Sequence, residues 1–163
     1  MAMGQKIKVG MADFNVCKAP DTILTLGLGS CVGIVLYDKT TKVAGMLHAM
    51  LPDSTKIKDN SNRSKFVDTG LEDMIGILEK AGVRRKNLVS KLAGGAQMFK
   101  FSADSEISGI GDRNVEAAKA KLKEYGIPII AEDTRLNYGR TIEFSPETGM
   151  LEIRAVGKSI THI

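Results

Sequence analysis

The chain has 163 residues, 43% apolar and 26% charged, with a net charge of +4. That is the composition of a soluble globular protein long enough to bury one core, and residues 1–163 are expected to form a single domain. Basic residues are scattered and aromatics make up 5%, too few for base-stacking platforms, so the balance gives no support to nucleic-acid binding. No apolar run approaches the ~18 residues of a membrane span. Met1-Ala2-Met3-Gly4 leads straight into Gln5-Lys6-Ile7-Lys8 without the apolar core of a signal peptide, so the expected compartment is the cytoplasm, with no membrane insertion. The two cysteines, Cys17 and Cys31, are not expected to form a disulfide there.

In chain order, the alternation over Lys6 to Asp13 predicts a strand, and Asp21 to Leu28 a second. Val32 to Tyr37 and Val43 to Leu51 are two more, joined by a hairpin loop at Asp38-Thr41. Pro52 ends the fourth strand, and Ser54 to Ser64 is a polar loop. Phe66, Leu71, Met74, Ile75 and Leu78 recur at helical spacing, with Gly82 as the stop. Leu88 to Leu92 predicts a strand that runs into Ala93-Gly94-Gly95-Ala96. A second helix is expected from about Asp112 to Tyr125 on the stripe Val115, Ala118 and Leu122, closed by Gly126 and Pro128. Ile129 to Ala131 is a short buried strand, and Arg140 to Phe144 and Met150 to Val156 form a last hairpin. The expected class is α/β (α+β), a layered sandwich of mixed, largely antiparallel sheet with two main flanking helices.

The densest chemistry lies at Gly27-Leu28-Gly29-Ser30-Cys31-Val32-Gly33 and at His48. Glycines beside a cysteine let backbone N–H groups approach a bound oxygen, and Gly29 and Ser30 are the candidate oxyanion or substrate-binding residues. His48 interrupts the apolar run Met46-Leu47-His48-Ala49-Met50-Leu51. Cysteine with histidine is the minimum for an activated thiolate. With a loop of Asp38 to Thr41, Tyr37 pairs with Lys42 and Cys31 falls opposite His48 on one face, ~5 Å away. A one-residue slip would separate them. Thr25, in the incoming strand, offers a hydroxyl or carbonyl to accept the second imidazole N–H, although threonine is also simply common in strands. The bland readings are a small buried thiol for Cys31 and a satisfied core histidine for His48. Cys17, without glycine context, reads as structural.

Other chemistries fit less well. A phosphatase cysteine needs a downstream arginine, and Val32 to Tyr37 has none. Two cysteines and two histidines, one of them the terminal His162, do not make a zinc spacing, so no metal is expected. The glycines at 27, 29 and 33 miss the dinucleotide spacing and lead into a strand. Gly109-Ile110-Gly111-Asp112 opens a helix and reads either as an anion site or as an ordinary cap.

Thr25 to Gly33 followed by His48-Ala49-Met50-Leu51-Pro52 resembles the signature of the CheD family of bacterial chemotaxis proteins. The similarity continues at Lys91 to Phe99, Ile110 to Asn114, Ala131 to Thr134 and Gly139 to Ile142, and spans nearly the whole chain. The resemblance implies a chemoreceptor glutamine deamidase, a hydrolase acting on protein side-chain amides without a cofactor. The family's catalytic cysteine, histidine and threonine fall on Cys31, His48 and Thr25. It implies a fold like that of the cytotoxic necrotising factor deamidases. Its implied partners are the cytoplasmic helices of chemoreceptors as substrate and the CheC phosphatase, with the chain a monomer or a heterodimer with CheC. A non-catalytic adaptor that binds receptors and stimulates CheC is the alternative, and amidase or transglutaminase chemistry a second. One departure stands out: Arg135-Leu136 occupy a place where the family often has Gly-Gly.

Overall fold

The computed structural model describes residues 3–98 and 109–163; Met1, Ala2 and Phe99, the last residue of the Lys91 to Phe99 motif, lie outside the described residues. Ten strands are present among those described: β1 (Lys6–Val9), β2 (Asp13–Lys18), β3 (Thr22–Leu28), β4 (Val32–Asp38), β5 (Val43–Ala49), β6 (Leu88–Gly94), β7 (Ile129–Thr134), β8 (Arg140–Ser145), β9 (Met150–Arg154) and β10 (Thr161–His162). Helices α1 (Val67–Lys80) and α2 (Ile110–Tyr125) complete the frame. The strands form two five-stranded sheets, ordered β1-β3-β8-β9-β10 and β2-β5-β4-β6-β7. Each sheet holds one parallel pair, β1 with β3 and β6 with β7. Hairpins join β4 to β5 and β8 to β9 in antiparallel pairs.

Alternation along the central strands sets three layers. On β4, Val32, Ile34 and Leu36 pack with Leu71, Leu78 and Leu122 of the helices. The intervening Val35 and Tyr37 pack with Ile23, Phe144 and Leu151 of the other sheet. A strand covered on both faces reads as a continuous apolar run, which is why β4 and β5 are buried throughout. Helix α1 turns Val67, Leu71, Met74, Ile75 and Leu78 onto that sheet at i, i+4, i+7, i+8 and i+11. Helix α2 ends at Gly126, whose left-handed backbone lets its N–H return to the Leu122 and Lys123 carbonyls.

Four expectations need correction. The strand expected to be short and buried at Ile129 to Ala131 is six residues long, lies at a sheet edge and leaves Ile130 exposed, since only one neighbouring strand covers it. The strand expected over Lys6 to Asp13 is two, because the chain turns at Gly10-Met11-Ala12, Ala12 at φ 58, and β2 joins the opposite sheet from β1. The last strands are also trimmed, β5 ending at Ala49 and β9 at Arg154, and a short β10 follows. The β4–β5 loop is Lys39-Lys42 rather than Asp38-Thr41. Asp38 stays in the ladder opposite Val43, while its carboxylate accepts from the Thr40 N–H and the Thr41 hydroxyl, each at 2.9 Å. The register therefore moves by two: Tyr37 faces Ala44, and His48 faces Gly33, not Cys31. An even shift preserves the face, so Cys31 and His48 both remain on the inter-sheet side.

Candidate active site

His48 sits on β5 at the same parity as Ala44 and Met46, which places its ring between the sheets. Thr25 meets it from β3 of the opposite sheet, and both residues are fully buried. The Thr25 hydroxyl is 2.7 Å from His48 Nδ1 and 2.7 Å from the Val9 carbonyl, and Val9 is the register partner of Thr25. These two contacts fix the tautomer. A carbonyl only accepts, so the single hydroxyl proton lies toward Val9, and the hydroxyl oxygen must accept a proton carried by Nδ1. Nε2 is then the bare, basic nitrogen, and among the described residues this buried atom has no hydrogen-bond partner. Burial holds the imidazole below its usual pKa, so the ring is neutral and ready to accept a proton.

Cys31 stands one residue before β4, only 8% exposed. The carbonyls around it are tied back into the protein: Gly29 O accepts from Ala96 N at 2.9 Å, Ser30 O from Asn114 Nδ2 at 2.9 Å, and Cys31 O from Gly95 N at 2.8 Å. Among the described residues the Ser30 N–H donates to no group and the Cys31 N–H only to its own thiol, whereas the Gly29 N–H is already bonded to Gly27 O at 3.1 Å. The loop thus presents one open donor beside the thiol, at Ser30, and a second, at Cys31, that faces the sulfur itself. Close backbone approach demands glycine at position 94: with φ +95, a Cβ there would lie 2.4 Å from the Cys31 carbonyl.

The structure brings Thr25 and His48 into hydrogen bond but leaves Cys31 unbonded to Nε2. Register explains the gap. Cys31 lies two positions along from Gly33, the partner of His48, so it is a diagonal neighbour at roughly 7–8 Å between Cα atoms. Gly33 has no side chain to contest the space; a Cβ there would come 2.8 Å from Ile142 Cδ1. Burial pushes the Cys31 thiol up, opposed by its own backbone N–H. Both effects of burial favour a resting pair of neutral thiol and neutral imidazole. In enzymes that pair a nucleophile with a base, the bond between them is often long before substrate binds and tightens around it.

Asn114 of α2 was not singled out by sequence reasoning. It is fully buried, and its Nδ2 donates to Ser30 O and to Met50 O, each at 2.9 Å. The available signal was a polar residue one turn before Ala118 on the apolar stripe of α2. Arg135 and Leu136 take left-handed backbone, φ 72 and 60, a conformation that glycine adopts at no steric cost. Arg135 N–H donates to Gly94 O at 2.8 Å and Leu136 O accepts from Gln97 N at 2.9 Å, so this loop buttresses the segment behind Cys31. The Arg135 guanidinium pairs with Asp112 and Glu116 on α2. Cys17 is buried in the inter-sheet core, its thiol pushed up to about 12 by burial. Among the described residues, no three His, Cys, Asp or Glu side chains converge as a metal site.

A buried thiol, a histidine of fixed tautomer and backbone donors beside the sulfur are the kind of parts that cysteine–histidine acyl transfer uses. A family model described as CheD chemotactic sensory transduction matches residues 50–155. The chain is 62% identical over 156 residues to the probable chemoreceptor glutamine deamidase CheD of Lachnoclostridium phytofermentans, covering 96% of this chain and 97% of that one. It is 56% identical over 155 residues to the chemoreceptor glutamine deamidase CheD of Halalkalibacterium halodurans, covering 94% and 96%. With the protein of the same name from Bacillus subtilis it is 53% identical over 151 residues, covering 92% and 91%. The chain belongs to the CheD family. Among solved structures, a hypothetical protein YfiH of Bacillus licheniformis superposes with a TM-score of 0.48 at 12% identity, over 77% of this chain and 51% of the other.

Proposed function

We propose that this chain is a chemoreceptor glutamine deamidase in which Cys31 is the nucleophile, His48 the general base and acid, and Thr25 the residue that orients His48. The observation that carries the assignment is the locked ring: Thr25 holds the proton on Nδ1, leaving Nε2 as the basic ring nitrogen on the inter-sheet side that also holds Cys31. Nε2 takes the Cys31 proton as the sulfur attacks the side-chain carboxamide carbon of a receptor glutamine. The oxygen, now negative, is received by the open Ser30 N–H and by the Cys31 N–H, which turns from the sulfur as the sulfur's charge passes into the new bond. Gly29 contributes space rather than a donor, since its N–H is engaged. The imidazolium returns its proton to the departing amine, ammonia leaves, and a thioester remains. Nε2 then takes a proton from water, the hydroxide adds to the thioester carbon, and collapse releases glutamate and the thiol.

Each turnover leaves one negative charge more on the receptor. Such a substrate is presented as a helix in the cytoplasm, and a second helix, that of the CheC phosphatase, competes for the same face. The test is ammonia release from a receptor cytoplasmic fragment, with the product glutamate located by peptide mass spectrometry. Wild type releases ammonia, and Cys31→Ala binds the fragment and releases none. Persistent deamidation by Cys31→Ala would overturn the nucleophile; binding by wild type without ammonia would leave an adaptor. Amine incorporation in place of hydrolysis would indicate a transglutaminase.

A further inference from the structure

We propose that Asn114 is a positioning residue, a side-chain staple that fixes the separation of Cys31 from His48; the inference rests on the thiol–imidazole reading of the site. The β4–β5 ladder ends at Val32 opposite Ala49, one residue short of Cys31 on one strand and one past His48 on the other. Beyond that point the two backbones no longer hold each other. Continued pairing would set Cys31 against Met50, but the Met50 N–H turns away to Lys65 O at 2.8 Å. Asn114 takes over where the ladder stops. One N–H of its amide reaches Ser30 O, adjoining the thiol residue, and the other reaches Met50 O, two residues past His48, each at 2.9 Å.

The orientation of the amide is set by chemistry, since an oxygen placed between two carbonyls would be repelled. The helix that carries Asn114 is itself seated tightly, for a Cβ on Gly111 would lie 2.4 Å from the Ala96 carbonyl. An amide at this place is costly. Asn114 is fully buried on the face of α2 that also buries Val115 and Ala118, and its Oδ1 finds no partner among the described residues. An apolar side chain would avoid the orphaned oxygen but would leave the Ser30 and Met50 carbonyls without this donor. What the amide supplies, and leucine does not, is a two-pronged tie between the strand ends that bear the two reacting groups.

The experiment compares wild type with Asn114→Leu, Asn114→Asp and Asn114→Ser. Alkylation of Cys31 and of Cys17 is followed by peptide mass spectrometry across a pH series, beside ammonia release. Cys17 is an internal monitor of folding, buried in the inter-sheet core away from the glycine loop. In Asn114→Leu and Asn114→Asp, turnover is expected to fall about 10- to 100-fold with KM little changed, the effect of displacing reacting groups by about 1 Å. The imidazole-dependent part of the Cys31 alkylation profile is lost with it, while Cys17 stays protected. Asn114→Ser, which keeps one donor, is intermediate. A variant with Cys17 protected and with wild-type turnover and alkylation profile overturns the proposal. Exposure of Cys17 in all three variants also overturns it, since Asn114 would then serve the fold alone. If wild type shows His48-dependent alkylation but no ammonia release, the deamidase reading fails, and the staple is still judged by alkylation.

Discussion

Replacing Thr25 with valine keeps the side chain's shape and removes one hydroxyl. That hydroxyl makes two contacts of 2.7 Å, one to Val9 O and one to His48 Nδ1. Both partners are then left in a dry layer between two sheets. A buried group without its partner costs about 1–3 kcal/mol, so with two such groups the variant should lose about 2–6 kcal/mol of stability by chemical denaturation. The larger effect is on the ring. Moving its proton from Nδ1 to Nε2 exchanges an orphaned donor for an orphaned acceptor, and the preference set by the threonine disappears. A net hydrogen bond of about 1–1.5 kcal/mol corresponds to about tenfold in the basic tautomer, and loss of orientation adds about another tenfold or more. We expect kcat to fall by about 10²–10³ with KM little changed, because Thr25 is buried away from substrate. Thr25→Ser keeps the hydroxyl and should retain most of the activity, at a cost of about 1 kcal/mol for the missing methyl. The assay is ammonia release from a receptor fragment, paired with nitrogen NMR of the His48 imidazole, which reads the tautomer directly. Wild-type turnover in Thr25→Val, or a serine variant as inactive as the valine one, would refute the reasoning.

Two further outcomes follow from the same geometry. Gly94→Ala places a Cβ 2.4 Å from the Cys31 carbonyl at φ +95; it should cost about 2–5 kcal/mol through strain and overlap and displace the nucleophile, so a stable and fully active Gly94→Ala would contradict the account of this loop. Stability should also fall on both sides of neutrality. On the alkaline side, Cys17 keeps its proton in the folded chain up to about 12 while the unfolded thiol ionises near 9. The unfolded state then binds fewer protons, and stability is lost as pH rises through that window. On the acid side, the folded chain holds His48 neutral while the unfolded ring takes up a proton below about 6.5, so stability is lost as pH falls. Denaturant midpoints across pH, for wild type and Cys17→Val, check this; an alkaline arm as steep in the variant as in wild type would remove Cys17 from the explanation.

Much of this was legible in the chain. Apolar runs marked β4 and β5 as strands, the i, i+4, i+7 stripe marked α1, and glycines around a cysteine followed by a histidine in an apolar run marked the candidate site. Period-two alternation even kept Cys31 and His48 on one face when the hairpin loop proved to start a residue later. What the sequence did not reveal depends on contacts between elements distant in the chain. Whether Lys6 to Lys18 is one strand or two depends on which sheet each half joins. The chain offered Thr25 as an acceptor for the second imidazole N–H, but that the pair spans the two sheets, and that the hydroxyl rather than the carbonyl serves, its proton directed by the Val9 carbonyl, is decided by packing. Asn114 lies 84 residues from Ser30 and 64 from Met50; its two hydrogen bonds exist only because α2 docks where the β4–β5 ladder ends. Local patterns record which side chains must be buried. Which buried polar atoms find one another is decided by packing, because a hydrogen bond is made across a few ångströms of space and carries no memory of sequence distance.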